Sequence, residues 1–136
     1  LLLLVGKDEM NINKFIDGND IVYLPHSNYP EQIYNVSDIF CIPSKREGFG
    51  NVIIESSACE LPVVGSDIFG LRSSLVNNLN GITYKIGDCN DLSDKIETLI
   101  LDSDLCKKLG SQGRKFVSKD FKPDEVYNSL LNLIIN

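Results

Sequence analysis

Short apolar runs recur along the first two thirds of the chain, spaced widely enough for a helix between neighbours. Leu1-Leu2-Leu3-Leu4-Val5 is continuous and ends at Gly6. Residues 21–24, 39–42 and 62–65 repeat the theme, and 82–84 reads as a fifth run. A strand covered on both faces needs such an unbroken apolar stretch, and parallel strands are covered that way. Strands alternating with helical stretches predict an α/β domain, Rossmann-like and three-layered, with helices on both faces of one parallel sheet.

The helix signals fall between the runs. Tyr29-Pro30-Glu31 puts proline at a first helical position beside an acid, ahead of Ile33, Tyr34 and Val36. Asn51 is the expected cap of a helix through Ile53, Ile54, Ala58 and Cys59, apolar enough round its circumference to be buried. From about Asn90 the chain turns helical: Leu92, Ile96, Leu99 and Ile100 share a face, and Leu105, Leu109, Phe116 and Val117 form a second stretch. A third follows Pro123, with Val126, Leu130, Leu133 and Ile134 on one side. With no repeat and no linker, residues 1–136 read as one domain, large enough for its own core.

Charge and cysteine usage exclude some functions. A net charge of −6 disfavours nonspecific nucleic-acid binding and broad adhesion to anionic membranes. Cys41, Cys59, Cys89 and Cys106 are widely spaced with no CxxC pair, so no metal site or redox dithiol is expected. They read as small core hydrophobes in a reducing, cytoplasmic compartment. The opening apolar run is too short to span a bilayer. It also begins without methionine and inside a strand, so the chain is read as a fragment.

Ligands of open α/β sheets bind beyond the carboxyl ends of the strands, which here means the loops at 6–9, 25–28, 43–50 and 66–71. The third is the most unusual. Pro43-Ser44-Lys45-Arg46-Glu47-Gly48-Phe49-Gly50 joins a strand to a helix, and its glycines let a ligand approach the backbone. The helix start then offers unpaired N–H groups and a positive dipole end, suited to phosphate. Glu47 in the loop and Glu55 one turn into the helix suit a ligand rich in hydroxyls, since a carboxylate accepts hydrogen bonds from a vicinal diol. Equally, Glu55 faces solvent or pairs with Lys45 or Arg46.

The run Pro43-Ser44-x-x-Glu47-Gly48-Phe49-Gly50-x-x-x-x-Glu55, followed by Ala58 and Leu61-Pro62-Val63-Val64, resembles the signature of the family 4 retaining glycosyltransferases. The resemblance extends from 22–27 to Asn80-Gly81. It implies the C-terminal, donor-binding half of an enzyme of GT-B architecture. Glu47 would bond hydroxyls of the donor sugar, with Gly48 beside it. The backbone of Phe49, Gly50, Asn51 and Val52 would meet the sugar or its phosphates. Glu55 would hold the ribose hydroxyls, and Pro25 and His26 would grip the base through main-chain groups. The resemblance thus implies Glu47 and Glu55 as the catalytic pair. The sequence departs from the family where two adjacent glycines and a glutamate are usual: here stand Phe69-Gly70 and then Ser73.

The implied reaction moves a sugar from a nucleotide diphosphate sugar to an acceptor hydroxyl with retention, in capsule, lipopolysaccharide or exopolysaccharide assembly. A UDP-sugar is the first expectation and a GDP-sugar the second, with no cofactor and no metal. The implied partners are a missing N-terminal domain of the same chain and a glycan or lipid-linked acceptor, with no nucleic acid. The fragment alone is expected to be inactive, and the full enzyme cytoplasmic, peripheral at the inner face of the membrane. Two other classes stay open. One is a non-catalytic nucleotide- or carbohydrate-binding module of the same shape. The other is a receiver-like domain suggested by Lys7-Asp8-Glu9, disfavoured because Pro43 stands where its phosphoacceptor aspartate belongs.

Overall fold

The computed structural model describes residues 1–8, 11–14, 16, 20–122, 124, 125, 127, 131 and 132. Each apolar run becomes a strand: β1 (Leu2–Val5), β2 (Ile21–Leu24), β3 (Phe40–Ile42), β4 (Val63–Ser66) and β5 (Gly81–Tyr84). Between and after them come α1 (Pro30–Asn35), α2 (Asn51–Ala58), α3 (Cys89–Leu101) and α4 (Ser103–Asp120).

Every pairing is parallel, as expected, but the strands form two sheets rather than one. β1 pairs with β2, Leu2 opposite Ile21, while β3, β4 and β5 form a separate sheet in that order. Burial differs between the two sheets. All four residues of β4 are buried, whereas the ends of β1 and alternate residues of β2 stay exposed. An apolar run alone does not bring β1 alongside β3.

Successive side chains of a strand point to opposite faces, and β4 uses both. Val63 joins Ile42, Ile53, Leu71 and Leu75 on one side, and Val64 joins Tyr84, Leu99 and Leu109 on the other. The first cluster holds α2 and the segment after β4; the second holds α3 and α4. Fully burying each such side chain contributes about 1.5–3 kcal/mol. These two clusters therefore make the three layers expected for an α/β domain. Buried Gly110 and Gly113 lay α4 against the end of α2. Asn80, fully buried, ties the layers by polar bonds: its amide donates to Ser57 Oγ (3.2 Å) and the Ser74 carbonyl (2.8 Å), and its oxygen accepts from the Val76 amide.

Two helix starts follow the expected chemistry. Asp88 caps α3 by accepting from the Asp91 amide (3.2 Å), and Asp102 caps α4 by accepting from the Leu105 amide (2.9 Å). Two expectations about faces need correction. Ile100 does not share the buried face of Leu99 but is exposed near the end of α3. α2 is not buried all round: Ile53, Ser56 and Ser57 face the core, while Asn51, Val52, Glu55 and Ala58 face outward. The third helical stretch, with Val126, Leu130, Leu133 and Ile134, falls on positions outside the described residues. Among the described residues no helix is long and apolar enough to cross a membrane.

Candidate functional site

β3 ends at Ile42, and the loop that follows is held from several sides. Ser44 Oγ donates to Glu47 Oε1 at 2.8 Å, folding the Glu47 carboxylate back over its own loop. Phe49 turns its ring toward the end of α4, with its centroid 5.7 Å from that of Phe121, which in turn meets Phe116 edge-on at 5.4 Å. The Phe49 carbonyl accepts from Ser74 Oγ. With side chain and carbonyl both anchored, the loop backbone is fixed while Gly48 is left open: a Cβ there would meet nothing within 4 Å.

Gly50 decides where α2 begins. Its φ of 79° lies in the left-handed region, and an added Cβ would stand 2.7 Å from Leu71 Cδ2. A side chain there is strained by the conformation and would have to push the Leu71 side chain aside. Gly50 is therefore the residue before the helix, and Asn51 is the first helical residue rather than the cap expected from sequence. The consequence is electrostatic. No side chain caps α2 and no acid lies in its first turn, so its leading N–H groups and positive dipole end are not neutralised by the chain's own carboxylates. Asn51 and Val52, which carry these groups, are exposed.

The neighbouring loop, 66–71, is pressed against this one. A Cβ on Gly70 would stand 1.8 Å from the Glu47 carbonyl oxygen, so only glycine permits the contact. Phe69 beside it is 89% exposed. Arg72 is not free for a phosphate in this arrangement, since its Nε and Nη2 both donate to Asp67 Oδ1 at 3.2 Å.

Glu55 lies on the exposed face of α2, and its partner is one that sequence reasoning missed. The Tyr34 hydroxyl donates to Glu55 Oε2 at 3.1 Å. Tyr34 is buried, with its ring packed edge-on against Phe40 of β3 at 5.7 Å. Burial, then the negative charge of Glu55, hold its phenol well above the ordinary tyrosine range. The sequence counted Tyr34 only among the apolar residues of α1; a hydroxyl on a buried position was the signal. Among the described residues no ion pair joins Lys45 or Arg46 to Glu47 or Glu55.

Pro25 and His26 follow β2, and both are exposed. His26 Nε2 lies 3.1 Å from Asn28 Oδ1, and Ser27 Oγ accepts from the Tyr29 amide, so this loop folds on itself at the entry to α1. Glu47, Gly48, Phe49, Gly50, Asn51, Val52 and Glu55 thus form one loop–helix unit. α1 lies against that unit through Tyr34, with Pro25 and His26 in the loop leading to it.

Other candidates fall elsewhere. A cavity of about 500 Å³ opens at the opposite edge, where β3 and β4 begin, between Tyr34, Ile39, Cys59, Leu61, Leu99 and Cys106. It contains none of the loop residues, of which Glu47 and Gly48 are exposed and Gly50 is buried. The four cysteines are free thiols, none fully buried and Cys89 exposed, so they are not the core hydrophobes expected. Burial pushes the Cys41, Cys59 and Cys106 thiols up. Among the described residues there is no group of three or more histidines, cysteines or acids placed to hold a metal.

Residues 4–116 match the family described as glycosyl transferases group 1. The chain belongs to that family. It is 34% identical over 136 residues to the capsular polysaccharide biosynthesis glycosyltransferase CapM of Staphylococcus aureus, covering 95% of this chain and 36% of that protein. The fold agrees. Sucrose-phosphate synthase from Thermosynechococcus elongatus superposes with a TM-score of 0.88 at 25% identity, over 98% of this chain and 37% of that one. Anabaena HepE, solved in complex with UDP-glucose, superposes at 0.87 with 22% identity, over 97% and 40%. The chain therefore spans little more than a third of these proteins. Membership in the family agrees with the reading of the run from Pro43 to Glu55 and with the expected α/β, GT-B-type architecture.

Proposed function

We propose that this chain is the donor-binding part of a retaining glycosyltransferase, gripping a nucleotide diphosphate sugar while an acceptor hydroxyl attacks its anomeric carbon. One observation carries the reading. α2 starts at a left-handed Gly50 with no side-chain cap and no acid in its first turn, next to an open Gly48 and between two exposed carboxylates. The helix end suits the diphosphate, Glu47 the sugar hydroxyls and Glu55 the ribose. Pro25 and His26, at the entry to α1, would contact the base. Catalysis here is positioning of the donor and stabilisation of the departing diphosphate, with no cofactor or metal taking part.

Membership in the family supports a sugar transfer, and the similarity to a capsule enzyme supports capsule or related polysaccharide assembly. HepE was solved with UDP-glucose, which supports a UDP-sugar ahead of a GDP-sugar. A second, N-terminal domain completes the cleft and brings the glycan or lipid-linked acceptor at the cytoplasmic face of the membrane. Transfer measured with the longer protein and with this chain alone tests the reading. Sugar transfer by the first, reduced at least about a hundredfold by Glu47→Gln, and none by the second, is the expected result. Unchanged transfer in the variant would overturn the assignment of Glu47.

A further inference from the structure

We propose that Tyr34 is a positioning residue that aims the Glu55 carboxylate at the ribose of the bound nucleotide; this rests on the donor-binding reading above. Glu55 is exposed on α2, and a glutamate there is free to sample several rotamers. Among the described residues its hydrogen-bond partner is the Tyr34 hydroxyl, 3.1 Å from Oε2. That hydroxyl cannot follow a moving carboxylate. The Tyr34 ring is 8% exposed and stands edge-on to Phe40, on the strand that leads into the 43–50 loop. Position therefore passes from β3 through the two rings to Glu55. The bond occupies a lone pair on Oε2 and leaves Oε1 to accept from a diol. A ligand without ribose hydroxyls gains nothing from this arrangement.

Calorimetric titration of the chain with UDP and GDP, each beside its 2′,3′-dideoxy analogue, tests the inference. The proteins are wild type, Tyr34→Phe, Glu55→Ala and the double variant. Phenylalanine keeps the ring and its packing and removes only the donor. Tyr34→Phe is expected to weaken the ribose nucleotide about tenfold, to leave the dideoxy analogue unchanged, and to add nothing in the Glu55→Ala background. Equal weakening of both nucleotides, or additive losses in the double variant, would show Tyr34 to be structural only and overturn the inference. Weakening by Glu55→Ala without any by Tyr34→Phe overturns it while leaving the donor reading intact. A wild-type chain that binds neither nucleotide, or binds equally well after Glu55→Ala, removes the donor reading and this one with it.

Discussion

At the scale of single residues, Gly50 and Tyr34 do more than the sequence announces. Gly50 combines a left-handed backbone with contact against Leu71. Gly50→Ala is expected to cost about 1–3 kcal/mol, read as a lower urea midpoint. The Tyr34–Glu55 bond makes a pH prediction with a definite sign. The folded phenol is held above its ordinary value, so above about pH 10 the unfolded chain loses its proton first. Stability carried by this group is therefore complete below pH 10 and falls as pH rises beyond it. Tyr34→Phe removes the titrating group and is expected to make that alkaline fall shallower; identical slopes in urea unfolding at pH 9–11 would contradict it. Glu47 and Glu55 were visible from the sequence through their placement about a glycine loop. Tyr34 was hidden because a tyrosine among apolar helix residues looks like packing, and its hydroxyl matters only once α1 and α2 are side by side.

At the scale of elements, strands were easier to read than helix ends. Residues 39–42 and 62–65 were unambiguous because a strand covered on both faces tolerates no polar interruption. The start of α2 was misplaced by one residue: asparagine is a favoured cap, but the steric demand at Gly50 is stronger and moves Asn51 into the helix. That single shift leaves the helix end uncapped, which is what a phosphate-binding terminus requires. Where capping aspartates do act, they are stabilising. Asp102→Ala is expected to lower stability by about 1 kcal/mol through the lost bond to the Leu105 amide. No measurable change in thermal midpoint would mean that α4 is held by packing alone. Leu109→Ala, in the cluster between β4 and α4, is expected to cost about 2–5 kcal/mol.

At the scale of the molecule, the alternation of apolar runs and helical stretches was enough for an α/β architecture, though not for how the strands group. Division into two parallel sheets is a matter of which strands lie side by side, which no local pattern encodes. The loops at the strand ends carry the candidate site, while a cavity of about 500 Å³ lies at the other edge. Exposed loops are what the proposed cleft against a second domain requires, in a chain spanning little more than a third of the relatives it matches. The most direct test of donor binding is an amide NMR titration of this chain with UDP and GDP, in wild type and Glu55→Ala. The account predicts shifts concentrated at 25–27 and 47–55 for one of the two nucleotides, weakened by the substitution. Shifts lying elsewhere, or unaffected by Glu55→Ala, would contradict it.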